Sequence, residues 1–398
     1  MANEVFIVSA VRTAIGRYGG TLRTVPAGVL ASLVIRESLR RAGIEGGLVD
    51  EVIMGEARQS TESSNVARVA ALRAGIPEEV PAYTVNRLCA SSMQAMYCGY
   101  MQIQLGEARV VVAGGVENMS RAPHYLRNGR WGDGELQLVD SNVEGGPGAV
   151  PHEIYGPGLS MGITAENVAE RFNVSRQEQD EFALRSHRLA CQAIRQGKFK
   201  EEIIPVEVEA RKTKTVFDTD EHPRPDTSLE ALARLKPVFK PGGTVTAGNS
   251  CGRNDGAAAV VLAGDDVIKE YGLRPLARVL GFSAAGVSPE IMGMGPVPAV
   301  RKLLARLRLP LEEIGLIELN EAFASQALAV IRELGLDLER TNVNGGGIAL
   351  GHPLGATGAR LATTLTYEML RRGVRYGLAT LCVGGGQGMA VVLENARL

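Results

Sequence analysis

The amino-acid sequence contains the same series of segments twice. In the first part of the chain, VDEVIMGE, TVNRLC and ARVVVAGG follow one another; after residue 272, IGLIELNE, TNVNGG and YGLATLCVGG follow in the same order. Chance similarity between generic strand–helix patterns is the alternative, but the shared order of the segments favours an internal duplication. The sequence therefore predicts a fold built from two copies of one α/β unit.

Strand-like apolar runs alternate with helical patterns along the chain. Runs such as EVFIVSAV, EVIMG and RVVVAGG are separated by helical periodicity, and one helix is predicted over residues 29–42, closed by Arg40, Arg41 and Gly43. This alternation is typical of a mainly parallel sheet with helices on its faces. We therefore expect an α/β fold.

The segment between the two copies has a different sequence pattern. It contains long loops, and two of its helices are predicted to begin at capping boxes, Ser175-x-x-Glu178 and Thr227-x-x-Glu230. A strand pattern returns within residues 246–264. The predicted domains are a first half made of residues 1–119 and 249–271, an inserted loop domain of residues 120–248 that covers the substrate, and a second half made of residues 272–398.

Composition and charge exclude several classes of function. The 398 residues carry a net charge of −1, which does not favour nucleic acid or an anionic membrane as the main partner. The five cysteines show no C-x-x-C spacing, and no His–Cys cluster resembles a zinc site. Neither a signal peptide, a transmembrane-length span nor a peroxisomal signal is recognisable. We expect a cytoplasmic protein with no metal and no membrane or nucleic-acid partner.

Four polar residues stand where strand patterns end. Cys89 precedes small residues at a helix start, where free backbone N–H groups favour a thiolate. His352 precedes Pro353, Asn320 follows a strand, and Cys382 ends one. Taken singly, each has a structural alternative: a packed thiol, a satisfied core histidine or a helix cap. Together, at the carboxyl ends of equivalent strands, they favour covalent catalysis by a thiol, an imidazole base and a second thiol.

The glycine-rich stretches do not match nucleotide-binding motifs. Neither G-x-G-x-x-G nor the Walker A pattern occurs in the chain. This disfavours a nucleotide-binding dehydrogenase or a kinase.

Over essentially its whole length the sequence resembles the thiolase family, which includes acetyl-CoA acetyltransferases and 3-ketoacyl-CoA thiolases. The segments that carry the resemblance are NRLCASS, GGVENMSRAPH, MGITAENVAE, TAGNSCGRNDGAA, MGMGPVPAVRKLL, NEAFASQ, NVNGGGIALGHPLGATGAR and LCVGGGQG. The resemblance implies a five-layered αβαβα fold of two duplicated α/β halves with an inserted loop domain. It also implies acetyl-CoA, acyl-CoA and CoA as partners, no permanently bound cofactor, and a homodimer or homotetramer.

The resemblance also implies roles for particular residues. Cys89 matches the family's nucleophile, His352 the group that accepts its proton, and Cys382 the acid/base that acts on the incoming acetyl-CoA. Asn320 matches the asparagine whose water forms one oxyanion hole with His352, and the backbone N–H groups of Cys89 and Gly384 match the second. The residues that match the CoA and acyl path are Arg224, Phe239, Ala247, Cys251, Met161, Ala322 and Phe323.

The reaction implied by the resemblance is the condensation of two acetyl-CoA to acetoacetyl-CoA and CoA, or the reverse thiolysis of a 3-ketoacyl-CoA, through an acyl-Cys89 intermediate. Ser160 stands where short-chain biosynthetic thiolases usually have a histidine, and Cys251 replaces a hydroxyl residue. Both departures keep open a broad-chain degradative thiolase of fatty-acid β-oxidation. A non-catalytic acyl-CoA-binding protein and a ketoacyl synthase are further alternatives; the complete catalytic set argues against the first and Cys382 against the second.

Overall fold

The first half of the fold alternates strands and helices up to residue 118. The structure, a computed structural model, describes residues 3–210 and 213–398. The first elements are β1 (Val5–Thr13), β2 (Gly16–Arg17), α1 (Ala27–Ala42), β3 (Glu51–Gly55), α2 (Val66–Ala74), β4 (Ala82–Val85), α3 (Ser91–Leu105) and β5 (Val110–Asn118). The predicted helix at 29–42 is therefore α1, which begins two residues earlier, directly after Pro26.

The chain between β5 and the next long strand contains two small hairpins and several helices. Its elements are β6 (His124–Arg127), β7 (Gln137–Asp140), α4 (Ser141–Glu144), α5 (His152–Tyr155), α6 (Met161–Arg171), α7 (Arg176–Arg195), β8 (Ile203–Ile204), β9 (Val206–Ala210), β10 (Thr213–Phe217) and α8 (Leu229–Ala233). Strands β6 and β7 pair only with each other, as do β9 and β10. Among the described residues of this region, β8 is the strand that joins the main sheet, by pairing with β1.

The remaining elements complete the first half and form the second. They are β11 (Asn254–Gly264), α9 (Asp265–Glu270), β12 (Ala277–Gly286), α10 (Pro296–Leu307), β13 (Ile314–Leu319), α11 (Ala324–Leu334), α12 (Gly347–Leu350), α13 (Thr357–Arg372), β14 (Tyr376–Val383) and β15 (Gln387–Asn395). In the described parts of the chain, no helix is both long and apolar enough to cross a membrane.

The strand order confirms the duplication. The main sheet runs β13-β14-β15-β12-β1-β11-β5-β3-β4. Counted outward from the β1–β12 contact, the strands β12, β15, β14 and β13 of the second half are arranged like the strands β1, β11, β5 and β3 of the first. Strand β3 corresponds to β13, β5 to β14 and β11 to β15, and helix α3 corresponds to α13. The two halves join where Phe6 and Ile7 pair with Arg278 and Ala277.

The expectation of a mainly parallel sheet is wrong. Among the described strands on this path, three neighbouring pairs are parallel (β13–β14, β3–β5 and β3–β4) and the other five are antiparallel. Strands β14 and β15 are separated by only residues 384–386, and a connection this short can join antiparallel neighbours but not parallel ones. The sheet is therefore mixed.

Helices and sheets stack in five layers, as the resemblance implied. Helices α1 and α2 cover one face of the first half, and α10 and α11 cover the outer face of the second. Helices α3 and α13 pack against each other between the two halves of the sheet. Three large apolar cores of described residues lie between these layers. The middle core combines residues of both halves, including Ile7, Met93, Leu361 and Val391. Burial of this shared core holds the two halves together.

Only one of the two predicted capping boxes is present. At the start of α7, Ser175 and Glu178 exchange side-chain-to-backbone hydrogen bonds. The box predicted at Thr227 is wrong, because α8 begins one residue later and Ser228 is the residue whose hydroxyl accepts the N–H of Ala231. Either of two adjacent hydroxyl residues can cap a helix, and the position at which the helix begins decides which of them does so.

Candidate active site

A cavity of about 240 Å³ lies where the carboxyl ends of strands from both halves meet. Residues that follow β3, β4, β5 and β13, and residues at the end of β14, contribute to its wall. Nine of the predicted site residues line it: Cys89, Met161, Phe239, Cys251, Ala322, Phe323, His352, Cys382 and Gly384. The duplication therefore brings segments more than 250 residues apart in sequence to one site.

Cys89 lies in a single 3₁₀ turn, Leu88–Ala90, directly before α3. The preceding Leu88 has a left-handed backbone (φ 46°), which is costly for a leucine and forms a sharp turn into the helix. Burial raises the pKa of the Cys89 thiol, while the backbone N–H of Gly384 and the charge of Arg58 oppose that rise. The sulfur therefore lies between the start of α3 and the turn after β14.

A hydrogen-bond chain fixes the orientation of His352, which is 3% exposed. The Thr357 hydroxyl donates to the carbonyl oxygen of Pro353 (2.9 Å), and its oxygen lies 2.7 Å from His352 Nδ1. Because the hydroxyl hydrogen is already used, this network assigns the ring proton to Nδ1 and leaves Nε2 as an acceptor. Burial, with a smaller contribution from Arg360, lowers the pKa of His352 to about 3. The imidazole is therefore neutral at neutral pH.

Asn320 lies behind the histidine rather than on the cavity wall. Its Nδ2 is 3.4 Å from His352 Nε2, and its backbone N–H donates to Thr380. Its Oδ1 is buried and has no hydrogen-bond partner within the described residues. A buried carboxamide oxygen without a protein partner is a position at which a water is expected.

Cys382 lies in the penultimate position of β14, among apolar side chains that include Ala322 and Phe323. It is 1% exposed, and burial together with the neighbouring thiols of Cys89 and Cys251 raises its pKa well above the usual range. The side chain is therefore a protonated thiol at neutral pH.

The loop before β11 forms the opposite wall of the cavity. The backbone N–H of Cys251 donates to the carbonyl of Ala322 (3.0 Å), and burial raises the pKa of the Cys251 thiol to about 12. The ring of Phe239 meets that of Phe323 edge to face, with centroids 6.3 Å apart. This wall is largely apolar.

Two predicted CoA contacts do not line the cavity. Arg224 is exposed, and its backbone N–H donates to His187 Nδ1 (3.2 Å). Ala247 is also exposed, in the same loop as Cys251. Both residues belong to the outer surface of the inserted region.

Sequence reasoning missed several residues that shape the site. Glu117 accepts hydrogen bonds from the backbone N–H groups of Ala57, Arg58 and Gly355, so it ties the loop after β3 to the loop that follows His352. Asn254 Oδ1 accepts the backbone N–H of His352 (2.9 Å). Glu117 and Asn254 lie within the segments GGVENMSRAPH and TAGNSCGRNDGAA, but nothing local in either segment indicates a partner so distant in sequence.

Models of the thiolase N-terminal and C-terminal domains match residues 5–266 and 273–395. An acetyl-CoA acetyltransferase of Syntrophomonas wolfei is 48% identical over 99% of this chain and 100% of its own length. A β-ketoadipyl-CoA thiolase of Pseudomonas aeruginosa is 52% identical over 99% of this chain and 100% of its own length.

The fold is also similar to a solved structure. The crystal structure of human mitochondrial 3-ketoacyl-CoA thiolase in complex with CoA is similar with a TM-score of 0.93 and 44% identity, covering 99% of this chain and 98% of that one. Domain models, relatives and structure agree along both halves, and the chain therefore belongs to the thiolase family of acyltransferases.

Proposed function

We propose that this thiolase condenses two acetyl-CoA molecules to acetoacetyl-CoA and CoA, or runs the reverse thiolysis, through an acyl group on Cys89. The observation that carries the proposal is that the side chains of Cys89, His352 and Cys382 and the turn at Gly384 line one cavity. A nucleophile, a base and a second acid/base within one cavity are the parts that acyl transfer between thiols requires.

In the thiolysis direction, the Cys89 proton passes to His352 Nε2 and the sulfur forms a bond to the 3-keto carbon. The C2–C3 bond then breaks, and Cys382 gives its proton to C2, so that acetyl-CoA leaves. CoA loses its thiol proton to Cys382 and attacks acyl-Cys89; the Cys89 sulfur departs and recovers its proton from His352. Condensation is the same sequence in reverse.

Fixed donors would meet the negative charge that develops in each half-reaction. The backbone N–H groups of Cys89 and Gly384 would bind the oxygen of the acyl-enzyme, which agrees with the position of the Gly384 N–H beside the Cys89 sulfur. Protonated His352 and a water on Asn320 would bind the enolate oxygen, and the unpartnered Asn320 Oδ1 supports that water. We further propose that residues 120–248 are a loop domain over the CoA, with Met161 and Phe239 along its pantetheine arm and Arg224 and Ala247 farther out.

Two acyl groups on Cys89 are compatible with the proposed reaction, acetyl and a longer chain. The relatives include a protein named acetyl-CoA acetyltransferase and another named β-ketoadipyl-CoA thiolase. Thiolysis rates for 3-ketoacyl-CoA of four to sixteen carbons would separate the subtypes. A steep fall beyond four carbons supports the acetoacetyl-CoA enzyme, and a flat profile supports the broad-chain degradative alternative.

The test of the nucleophile is Cys89→Ala, with Cys98→Ala as the matched control. Cys98 lies on α3, where Gln94 Nε2 is 3.2 Å from its sulfur. We expect Cys89→Ala to reduce acetoacetyl-CoA thiolysis by at least about 10⁴-fold, because no covalent intermediate can form. Cys98→Ala should retain activity within about threefold. Thiolysis that survives in Cys89→Ala would show that the assignment is wrong.

A further inference from the structure

The wall of the active-site cavity carries positive charge but no acidic side chain within the described residues. Its charged lining residues are Arg58 and Arg253, and no Asp, Glu or Lys contributes. Arg253 is exposed, with its guanidinium over the Tyr18 ring at 5.8 Å. Arg58 is half-buried and lies beside the nucleophile.

The guanidinium of Arg58 has no partner among the residues that the structure describes. No ion pair or side-chain hydrogen bond reaches it, and its Nε is buried without an acceptor. The nearby carboxylate of Glu117 is committed to the backbone N–H groups of Ala57, Arg58 and Gly355. A buried guanidinium nitrogen left without an acceptor is uncommon in native structures and indicates a missing partner.

The position of Arg58 is held from two sides. Its backbone N–H donates to Glu117 Oε1 (3.0 Å), which anchors the loop after β3. Its guanidinium lies against Gly145, where a Cβ atom would stand 2.3 Å from the Arg58 Cζ. The absence of a side chain at Gly145 leaves room for the guanidinium, and Arg58 lines both the cavity and the groove that Arg127 lines.

The charge of Arg58 is also close enough to the reacting sulfur to matter electrostatically. It is one of the influences that oppose the burial-driven rise in the pKa of Cys89. Arg58 and Cys89 line the same cavity, so an acyl group on the sulfur occupies the space that the guanidinium borders. The group that would satisfy the free donors is a carboxylate, because a guanidinium binds its two oxygens in a fork.

We propose that Arg58 binds a carboxylate at the far end of the acyl chain, so that the enzyme accepts 3-ketoacyl-CoA thioesters of dicarboxylic acids. This inference rests on the proposed thiolase reaction and names the acyl group that Cys89 carries. Attack of the Cys89 sulfur on the 3-keto carbon and cleavage of C2–C3 release acetyl-CoA as before. The acyl group left on Cys89 then ends in the carboxylate held by Arg58, and transfer to CoA releases an ω-carboxyacyl-CoA.

The test compares two six-carbon substrates that differ only at the far end, 3-ketoadipyl-CoA and 3-ketohexanoyl-CoA. Wild type should cleave 3-ketoadipyl-CoA with at least tenfold higher kcat/KM. Arg58→Met should lower kcat/KM for 3-ketoadipyl-CoA by about 10- to 100-fold, as expected for loss of a charge-assisted pair. The same variant should lower kcat/KM for 3-ketohexanoyl-CoA and acetoacetyl-CoA by a smaller factor that is the same for both, because loss of the Arg58 charge acts on the Cys89 thiol in the same way for every substrate.

Two further variants test the same role of Arg58 if Arg58→Met folds poorly. Arg58→Lys retains the charge without the fork and should keep part of the preference for the dicarboxylate. Arg127→Leu removes an arginine from the adjacent groove, where Arg127 pairs with Glu144. This control should change kcat/KM for neither 3-ketoadipyl-CoA nor 3-ketohexanoyl-CoA.

Two results would overturn the proposal. Equal losses on both six-carbon substrates in Arg58→Met would mean that Arg58 acts on the nucleophile rather than on the substrate. Wild type that shows no preference for the carboxylate substrate would also reject it. By contrast, failure of wild type to cleave acetoacetyl-CoA or either six-carbon substrate would reject the proposed thiolase reaction itself.

Discussion

Cys89 and His352, the nucleophile and base that we propose, are both uncharged in the resting site. Burial raises the pKa of Cys89 and lowers that of His352 to about 3, so the proton stays on sulfur at neutral pH. Some cysteine enzymes instead hold a thiolate–imidazolium pair before substrate arrives. In the proposed mechanism the transfer to His352 is therefore coupled to the attack on the carbonyl, when the oxyanion donors begin to share the charge.

Proton transfer that is coupled to the attack requires a correctly oriented His352 ring, and the hydrogen bond with Thr357 fixes that orientation. Thr357→Val removes the acceptor of Nδ1–H without a change of shape, so Nε2 is no longer reserved as the base. We expect kcat to fall by about 10- to 100-fold with KM nearly unchanged. The rate at which iodoacetamide alkylates Cys89 should fall in parallel.

Thr357→Ser restores the hydroxyl and is the control. It should return kcat to within about threefold of wild type, because the bonds to Pro353 and His352 can form again. If the serine variant is as slow as the valine variant, packing of the methyl group matters and the hydrogen bond does not.

In the region of residues 120–248, the helix starts predicted from local sequence differ in part from the helix starts in the structure. The capping-box spacing occurs at Ser175 and Thr227, whereas the neighbouring Ser228 has Ala231 three residues later. In the structure Ser175 and Ser228 cap helices, whereas Thr227 makes no capping contact. The spacing rule identifies a short window for a helix start, and tertiary packing selects the residue within it.

This difference can be measured with two alanine substitutions. Ser175→Ala should lower the free energy of unfolding by about 1 kcal/mol, because it leaves a backbone N–H of α7 without its acceptor. Thr227→Ala should change it by less than about 0.5 kcal/mol. Urea denaturation of both variants provides the measurement, and equal losses would contradict the observed caps.

The two halves of the molecule approach each other through positions that tolerate no side chain. A Cβ on Gly358, in the first turn of α13, would lie 2.5 Å from the backbone nitrogen of Met93 in α3. These two helices start beside the loops that carry Cys89 and His352, since α3 follows Cys89 and α13 follows His352. The separation of Cys89 and His352 is therefore set by the contact between the two central helices.

Gly358→Ala should thus disturb both stability and activity. The clash is with backbone, so we expect a loss of about 3 kcal/mol in the free energy of unfolding and a lower kcat. Gly47→Ala is the matched control, because nothing lies within 4 Å of its Cβ position. Thermal unfolding and acetoacetyl-CoA thiolysis of both variants test this, and a Gly358→Ala protein as stable and active as Gly47→Ala would exclude a tight helix contact.

Much of the architecture can be read from the chain by itself. The repeated segments predict two α/β copies, and the family motifs lead to Cys89, Asn320, His352 and Cys382 at strand ends. These features are accessible because apolar periodicity and turn residues act over a few neighbouring positions. The structure confirms the duplication and five layers, while the catalytic roles stay predictions.

Other features depend on residues that meet only after folding. The antiparallel strand pairs, the exclusion of Arg224 and Ala247 from the cavity, and the free guanidinium of Arg58 have no local signature. Arg58, for example, is anchored through its backbone N–H by Glu117 and lies with its guanidinium against Gly145, residues that are 59 and 87 positions away. Tertiary structure alone decides such contacts, since burial and hydrogen bonding between distant segments have no counterpart in short-range sequence patterns.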